Sequence, residues 1–177
     1  MADREDEARI LVADAGGFSA AFRNVHFDVW MTPGSAEQFR ARYVVQHAWF
    51  KERGEGKSVT ISVIHPAAVK PVEGELRKVI NESTLANMKF IKAGAIVILA
   101  TGFRAAVIRG VIAALTLLTG ARYPTKTCDA VDDGLKFACE QCTDGTTIEQ
   151  LRAAWAQLSS SQPQPSTSSS SSSAKPA

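Results

Sequence analysis

The three cysteines are the side chains of this sequence best suited to redox or metal chemistry. Cys139 and Cys142 have the Cys-x-x-Cys spacing of redox dithiols and of half a zinc site. The pair falls at the predicted C-terminus of a helix, whereas redox dithiols gain thiolate character at a helix N-terminus. A zinc site needs two more ligands, which only Cys128 and a distant histidine could supply. We therefore expect ordinary reduced cysteines, no metal and no cofactor, with a metal or redox role as the less favoured alternative.

The three histidines lie in three different predicted elements, without a serine or cysteine at catalytic spacing. His47 lies beside Tyr43 and Phe50 on a predicted helix, which favours a partly buried imidazole over a catalytic one. The glycine-rich loops that cradle nucleotide phosphates, G-x-G-x-x-G and G-x-x-x-x-G-K-[S/T], do not occur in the sequence. We therefore predict no catalytic residue and no enzymatic activity.

One short stretch has the chemistry to hold an anion. Thr101, Gly102 and Arg104 follow a continuous apolar run at 95–100 and open a predicted helix. Helix N-termini attract anions, and open α/β sheets bind their ligands at the carboxyl ends of strands. These three residues are therefore candidates for binding a nucleotide or a lipid. A solvated arginine at a helix start is the simpler interpretation of Arg104.

The predicted first helix has two apolar stripes. Phe39, Tyr43 and Phe50 form one stripe, and Val45 and Trp49 form a second, nearly opposite. A helix of this kind packs on the core with one side and on something else with the other. Because tryptophan is enriched at interaction hot spots, Val45 and Trp49 are candidate contact residues. Packing of Trp49 beneath a neighbouring element is the alternative.

The elements that must position these residues follow from periodicity and turn signals. The strands are predicted at 9–13, 25–30, 59–64, 95–100 and 125–128. The helices are predicted from the Ser35 cap to Arg53 and at 72–92, 103–118, 130–142 and 147–158. The order β-β-α-β-α-β-α-β-α predicts an α/β fold: a mainly parallel sheet of about five strands, an antiparallel edge strand and four to five helices. The first two strands are expected to form a hairpin.

Composition favours one cytoplasmic domain. The 177 residues are 45% hydrophobic and carry a net charge of +2, too weak a charge to indicate nucleic acid or a membrane surface. The charged start is unlike a signal peptide, and Arg104 and Arg109 interrupt the longest apolar region, so no membrane span is expected. We divide the chain into a charged arm at 1–7, an α/β domain at 8–142, an appended helix at 146–158 and a disordered Ser/Pro-rich tail at 159–177.

This order of short elements over 8–142 resembles the STAS domain of anti-sigma factor antagonists. The segment from Thr101 to Arg109 is similar to the strand-to-helix corner of divergent bacterial members. The resemblance implies a non-enzymatic signalling module that docks on a regulatory protein. Antagonists of the sporulation type carry a phosphorylatable serine after the third strand. The corresponding stretch at 65–74, HPAAVKPVEG, has neither serine nor threonine, so that switch is not expected.

Two functions follow as expectations. The first is a STAS-like protein-interaction module in bacterial signalling, with contact residues Trp49, Val45, Arg104, Arg109 and His65. The alternative is a small-molecule-binding domain that uses Thr101, Gly102 and Arg104. The predicted helix at 103–118 is apolar on nearly all sides, so a homodimer formed through this helix is a further alternative.

Overall fold

The computed structural model describes residues 6–68, 72, 74–102, 106, 109–110 and 123–160. Six strands form one mixed sheet in sequential order: β1 Arg9–Asp14, β2 Gly17–Phe22, β3 Val25–Trp30, β4 Ser58–Ile64, β5 Ile91–Ile98 and β6 Thr125–Cys128. The β1–β2 and β2–β3 pairs are antiparallel, and the three pairs from β3 to β6 are parallel. The predicted α/β class, with a mostly parallel sheet and an antiparallel edge, is confirmed.

The main helices are α1 Ala36–Arg53, α2 Gly74–Asn87, α3 Val131–Gln141 and α4 Ile148–Ser160. The predicted capping box of α1 is present. The Ser35 hydroxyl accepts a hydrogen bond from the backbone amide of Gln38 at 3.2 Å. The backbone amide of Ser35 donates a hydrogen bond to the side-chain oxygen of Gln38 at 2.8 Å. The helix ends at Gly54, whose φ of 89° a residue with a side chain rarely adopts.

The predicted hairpin between 9–13 and 25–30 is wrong, because β2 lies between these strands. The sequence of β2, GFSAAF, has the glycine, serine and alanines that are poor strand formers, so no strand was predicted there. All six residues are buried, and the pairing of β2 with a strand on each side compensates for their low propensity. β3 therefore pairs with β2 and β4 rather than with β1.

The predicted boundary between the second helix and the fourth strand is also wrong. The helix was expected to continue to residue 92, but α2 ends at Asn87 and a short 3₁₀ turn, Met88–Phe90, leads directly into β5. Phe90 and Ile91 fit a helical stripe as well as a buried strand, so periodicity could not separate the two. Most of the helix predicted at 103–118, and the tail from residue 161, lie outside the described residues.

The two faces of the sheet differ in chemistry. One face packs on α3 and α4 through an apolar core that includes Phe27, Ile61, Val97, Leu135 and Leu151. Gly134 of α3 allows close packing, since a Cβ there would lie 2.7 Å from a methyl group of Val97. The face towards α1 combines a smaller apolar cluster, formed by Ala21, Trp49, Phe50 and Phe90, with a set of polar side chains. The polar side chains are Ser19, His26, Asp28, Ser58, Thr60 and Ser62.

Candidate functional site

The carboxyl ends of the parallel strands meet at one edge of the sheet, called here the carboxyl edge. His65 follows β4, and its amide donates to the Trp30 carbonyl at the end of β3 at 2.9 Å. The Leu99 amide donates in turn to the Ile64 carbonyl at 3.0 Å, which brings the chain after β5 to the same edge. Thr101 and Gly102 follow shortly after, so the parallel register brings predicted residues from two loops to one edge.

Local sequence accounts for how these loops leave the sheet. Pro66 has no amide hydrogen to continue the ladder, so β4 stops and a 3₁₀ turn, Pro66–Ala68, begins. The Ala67 amide approaches Nδ1 of His65 at 3.4 Å, which holds the imidazole near its own turn. Beyond β5, Gly102 adopts a φ of 66°, and both Thr101 and Gly102 are exposed.

An ion pair completes the carboxyl edge. Asp129 directly follows β6, and its carboxylate accepts a hydrogen bond from the guanidinium of Arg109. Both side chains are well exposed, at 43% for Arg109 and 75% for Asp129. An exposed pair of this kind contributes little to folding and remains accessible to another molecule. Arg104, the other predicted basic residue of this region, lies outside the described residues.

Of the two interpretations of Trp49, the structure agrees with packing beneath a neighbouring element and not with an exposed contact residue. Trp49 is 3% exposed and packs on His26 and Phe50, with ring centroids 5.5 and 5.2 Å away. Val45 is half-buried. The apolar residue that α1 does expose is Val44, at 66%. The stripe at Val45 and Trp49 is therefore part of the inner face of the helix.

The inner face of α1 was missed because it also carries a buried arginine. Arg42 is 1% exposed, donates to both carboxylate oxygens of Asp14 at 3.0 and 2.9 Å and donates to the Val29 carbonyl at 3.0 Å. Its guanidinium also lies 3.8 Å from the ring centre of Trp30. Burial favours the neutral carboxyl, but hydrogen bonds from Arg42 and Gly16 outweigh it and lower the pKa of Asp14.

A second partly buried carboxylate, that of Asp28, lies next to the pair formed by Arg42 and Asp14. Asp28 accepts hydrogen bonds from the Ser19 hydroxyl at 2.8 Å, the Gln46 amide at 3.1 Å and the Trp30 indole at 2.8 Å. Arg42 also lies 3.6 Å from this carboxylate. Both acids are thus used to hold α1 on the sheet, and sequence spacing gave no signal of this because the partners come from four different elements.

The cysteines are placed for packing. Cys128 is buried, and Cys139 and Cys142 are half-buried. Burial raises the pKa of Cys142 to about 12, with nearby Asp144 adding to the effect, and burial also raises the pKa of Cys139. The thiolate, which is the reactive and metal-binding form, is therefore disfavoured. Within the described ranges, His, Cys, Asp and Glu side chains form no group of three or more that could hold a metal ion.

A surface groove runs between α1 and α2. It has a volume of about 490 Å³ and is lined by Arg40, Tyr43, Val44, Val79, Glu82, Ser83 and Ala86. Arg40 is held by Glu75 of α2 at 2.6 Å, so the charge at this rim is already neutralised. The groove was not predicted, because Tyr43 was placed on an apolar stripe of α1 without a partner from α2.

No protein-family model, curated protein or solved structure matches this chain. The class that the fold defines is an α/β protein with a six-stranded mixed sheet and an exposed carboxyl edge. None of the helices in the described part of the chain is long and apolar enough to cross a bilayer. The interpretation of the site therefore depends on its geometry and on the chemistry of its side chains.

Proposed function

We propose that this chain is a non-enzymatic, STAS-like interaction module of bacterial signalling that binds a regulatory protein through its carboxyl edge. The observation that carries the proposal is the convergence of His65, Thr101, Gly102 and the Arg109–Asp129 pair after three adjacent parallel strands. Crevices at the carboxyl ends of parallel strands are the usual binding location in open α/β sheets.

The chemistry of this edge favours a protein surface as the bound partner. The edge offers an acid and a base side by side, both exposed, together with a half-buried imidazole and exposed backbone at Gly102. Paired charges at the rim of an interface set partner choice and orientation more than they add affinity. An exposed surface of mixed charge suits a complementary protein better than a single small anion.

The distribution of ionisable groups supports binding without reaction. Asp14, Asp28 and Arg42 satisfy one another and their neighbours between α1 and the sheet. The cysteine thiols are held in their protonated form by burial. The exposed ion pair of Arg109 and Asp129 at the carboxyl edge is a feature of a recognition surface.

Charge reversal at the carboxyl edge tests the proposal. The partner is isolated with the full chain as bait in cross-linked cells, and its affinity for the purified chain is then measured by calorimetry. We expect Arg109→Asp to weaken an equimolar complex at least about tenfold. Arg77→Asp, an exposed arginine on α2, is the matched control and should leave the affinity unchanged.

The double variant Arg109→Asp with Asp129→Arg separates direct contact from local structure. The double variant restores the ion pair with its charges exchanged. If the pair only maintains local structure, the affinity for the partner should recover. If Arg109 contacts the partner directly, the affinity should stay low. Wild-type affinity in the double variant or in Arg109→Asp would refute the proposal. A small molecule that copurifies in native mass spectra and is lost in Arg104→Ala, with no partner protein recovered, would support the alternative at Thr101, Gly102 and Arg104 instead.

A further inference from the structure

The side of α1 that faces away from the sheet carries a regular row of exposed residues, called here the outer row. Its members lie alternately four and three residues apart along the helix: Glu37, Ala41, Val44, Ala48 and Lys51. An α-helix has about 3.6 residues per turn, so this spacing places the side chains above one another on one face. The outer row therefore forms a straight surface along the whole length of α1.

The middle of the outer row is apolar. Val44 is 66% exposed, the highest value for a large hydrophobic residue in the described part of the chain. Ala41 and Ala48 lie about one turn away on either side, and both are exposed. Their small side chains would let a second helix approach α1 closely, because the distance between packed helices depends on the side chains at the contact. A covering surface would remove the apolar side chain of Val44 from water.

The groove between α1 and α2 widens this apolar surface. Val44 lines the groove, together with the apolar residues Val79 and Ala86 of α2 and the ring of Tyr43. Leu85, the neighbour of Ala86 on α2, is itself 57% exposed. The apolar contact area available to a second surface therefore extends from α1 across the groove to α2.

The two ends of the outer row have opposite charges. Glu37 lies in the first turn of α1 and Lys51 in the last, and neither forms an ion pair with another described residue. Each lies seven residues from Val44. A two-fold axis at Val44 therefore brings Glu37 of one copy level with Lys51 of a second copy, at both ends of the helix. Two parallel helices would instead place like charges together, which is unfavourable.

We propose that the outer row is the interface of a homodimer in which α1 of one copy packs antiparallel on α1 of a second copy. Val44 meets its counterpart at the axis, and a Glu37–Lys51 pair lies at each end. A contact built mainly on one helix is smaller than the interface of a permanent dimer, so we expect reversible association with a Kd on the order of 100 μM. This interface uses α1 rather than the loops of the carboxyl edge or the predicted helix at 103–118.

Sedimentation equilibrium of the full chain, from about 10 μM to about 1 mM, tests this proposal. We expect a monomer–dimer equilibrium that is at least about tenfold weaker in Val44→Glu, because two carboxylates would then face each other at the axis. Ile10→Glu is the matched control, since Ile10 is also an exposed apolar residue, at 41%, but belongs to β1. It should dimerise as the wild type does. A wild-type chain that stays monomeric at about 1 mM, or equal weakening in the two variants, would overturn the proposal.

Charge exchange tests the antiparallel arrangement. Glu37→Lys and Lys51→Glu should each weaken the dimer about tenfold, because each change turns both attractive pairs into repulsive ones. The double variant restores the pairs with their charges exchanged, and its Kd should return to within about threefold of the wild-type value. Unchanged dimerisation in the single variants, or no recovery in the double variant, would refute the arrangement. Arg109→Asp should dimerise as the wild type does, so failure here is distinct from failure at the carboxyl edge.

Discussion

Arg42 of α1 donates two hydrogen bonds to the carboxylate of Asp14 at the end of β1, with distances of 3.0 and 2.9 Å. One side chain thus ties the helix layer to the edge of the sheet. The carboxylate of Asp14 also accepts a hydrogen bond from the backbone amide of Gly16 at 2.6 Å, which closes the turn between β1 and β2. The geometry of the helix, the first hairpin and the end of β3 therefore depends on this pair.

Arg42→Met should lower the free energy of unfolding by about 3 kcal/mol, because it leaves a partly buried carboxylate without its counter-charge. Arg40→Met is the matched control on the same helix. Arg40 pairs with Glu75 at the surface, so its loss should change stability little. Urea denaturation followed by circular dichroism measures both. Equal losses in the two variants would contradict the structural role of Arg42.

His26 should make the protein sensitive to mild acid. Burial lowers the pKa of His26 to about 4 from its ordinary 6.5, against the opposing effect of Asp28. Below pH 6.5 the imidazole of His26 binds a proton in the unfolded chain but stays neutral in the folded protein. The free energy of unfolding should therefore fall by roughly 3 kcal/mol as the pH falls from 6.5 to about 4. Below about pH 4, where His26 is protonated in both states, this contribution should no longer change.

The control for this pH dependence is a comparison of two histidine variants in urea denaturation at several pH values. His26→Phe should remove the loss of stability, since phenylalanine fits beside Trp49 and Phe50 and does not titrate. His65→Phe, at the carboxyl edge, should keep the wild-type slope. The same slope in His26→Phe as in the wild type would show that another group titrates.

Trp49→Ala should reduce the free energy of unfolding by about 3–5 kcal/mol, because it empties a buried position between α1 and the sheet. Val44→Ala, on the same helix at an exposed position, should have little effect. Thermal and urea unfolding measure the difference. A stable Trp49→Ala variant that loses only partner binding would restore the interpretation of Trp49 as a surface contact.

Cys142 should react slowly in the folded protein. Its pKa of about 12 leaves almost no thiolate at neutral pH. Alkylation by iodoacetamide, followed by mass spectrometry of peptides, should be at least about a hundredfold slower than in the urea-unfolded chain. The unfolded chain provides the control for reagent and site. Rapid labelling of the folded protein would indicate an activated thiol.

The sequence by itself determined the class of fold and several boundaries. β-branched and apolar runs indicated β4 and β5, and the Ser35–Gln38 box with Gly54 defined α1 closely, because caps and runs are local signals. The predicted residues after β4 and β5 lie at one edge, as parallel strands require. β2 was missed because its residues have weak strand propensity and are stabilised by their neighbours.

Only the tertiary structure decided which side of α1 faces the sheet. The predicted apolar stripes of α1 did not include Arg42 or Gln46, yet Arg42 is buried and Gln46 half-buried, because Asp14, Ser19 and Asp28 of three distant strands provide their hydrogen-bond partners. Whether a buried polar group is stable depends on partners that chain folding brings together.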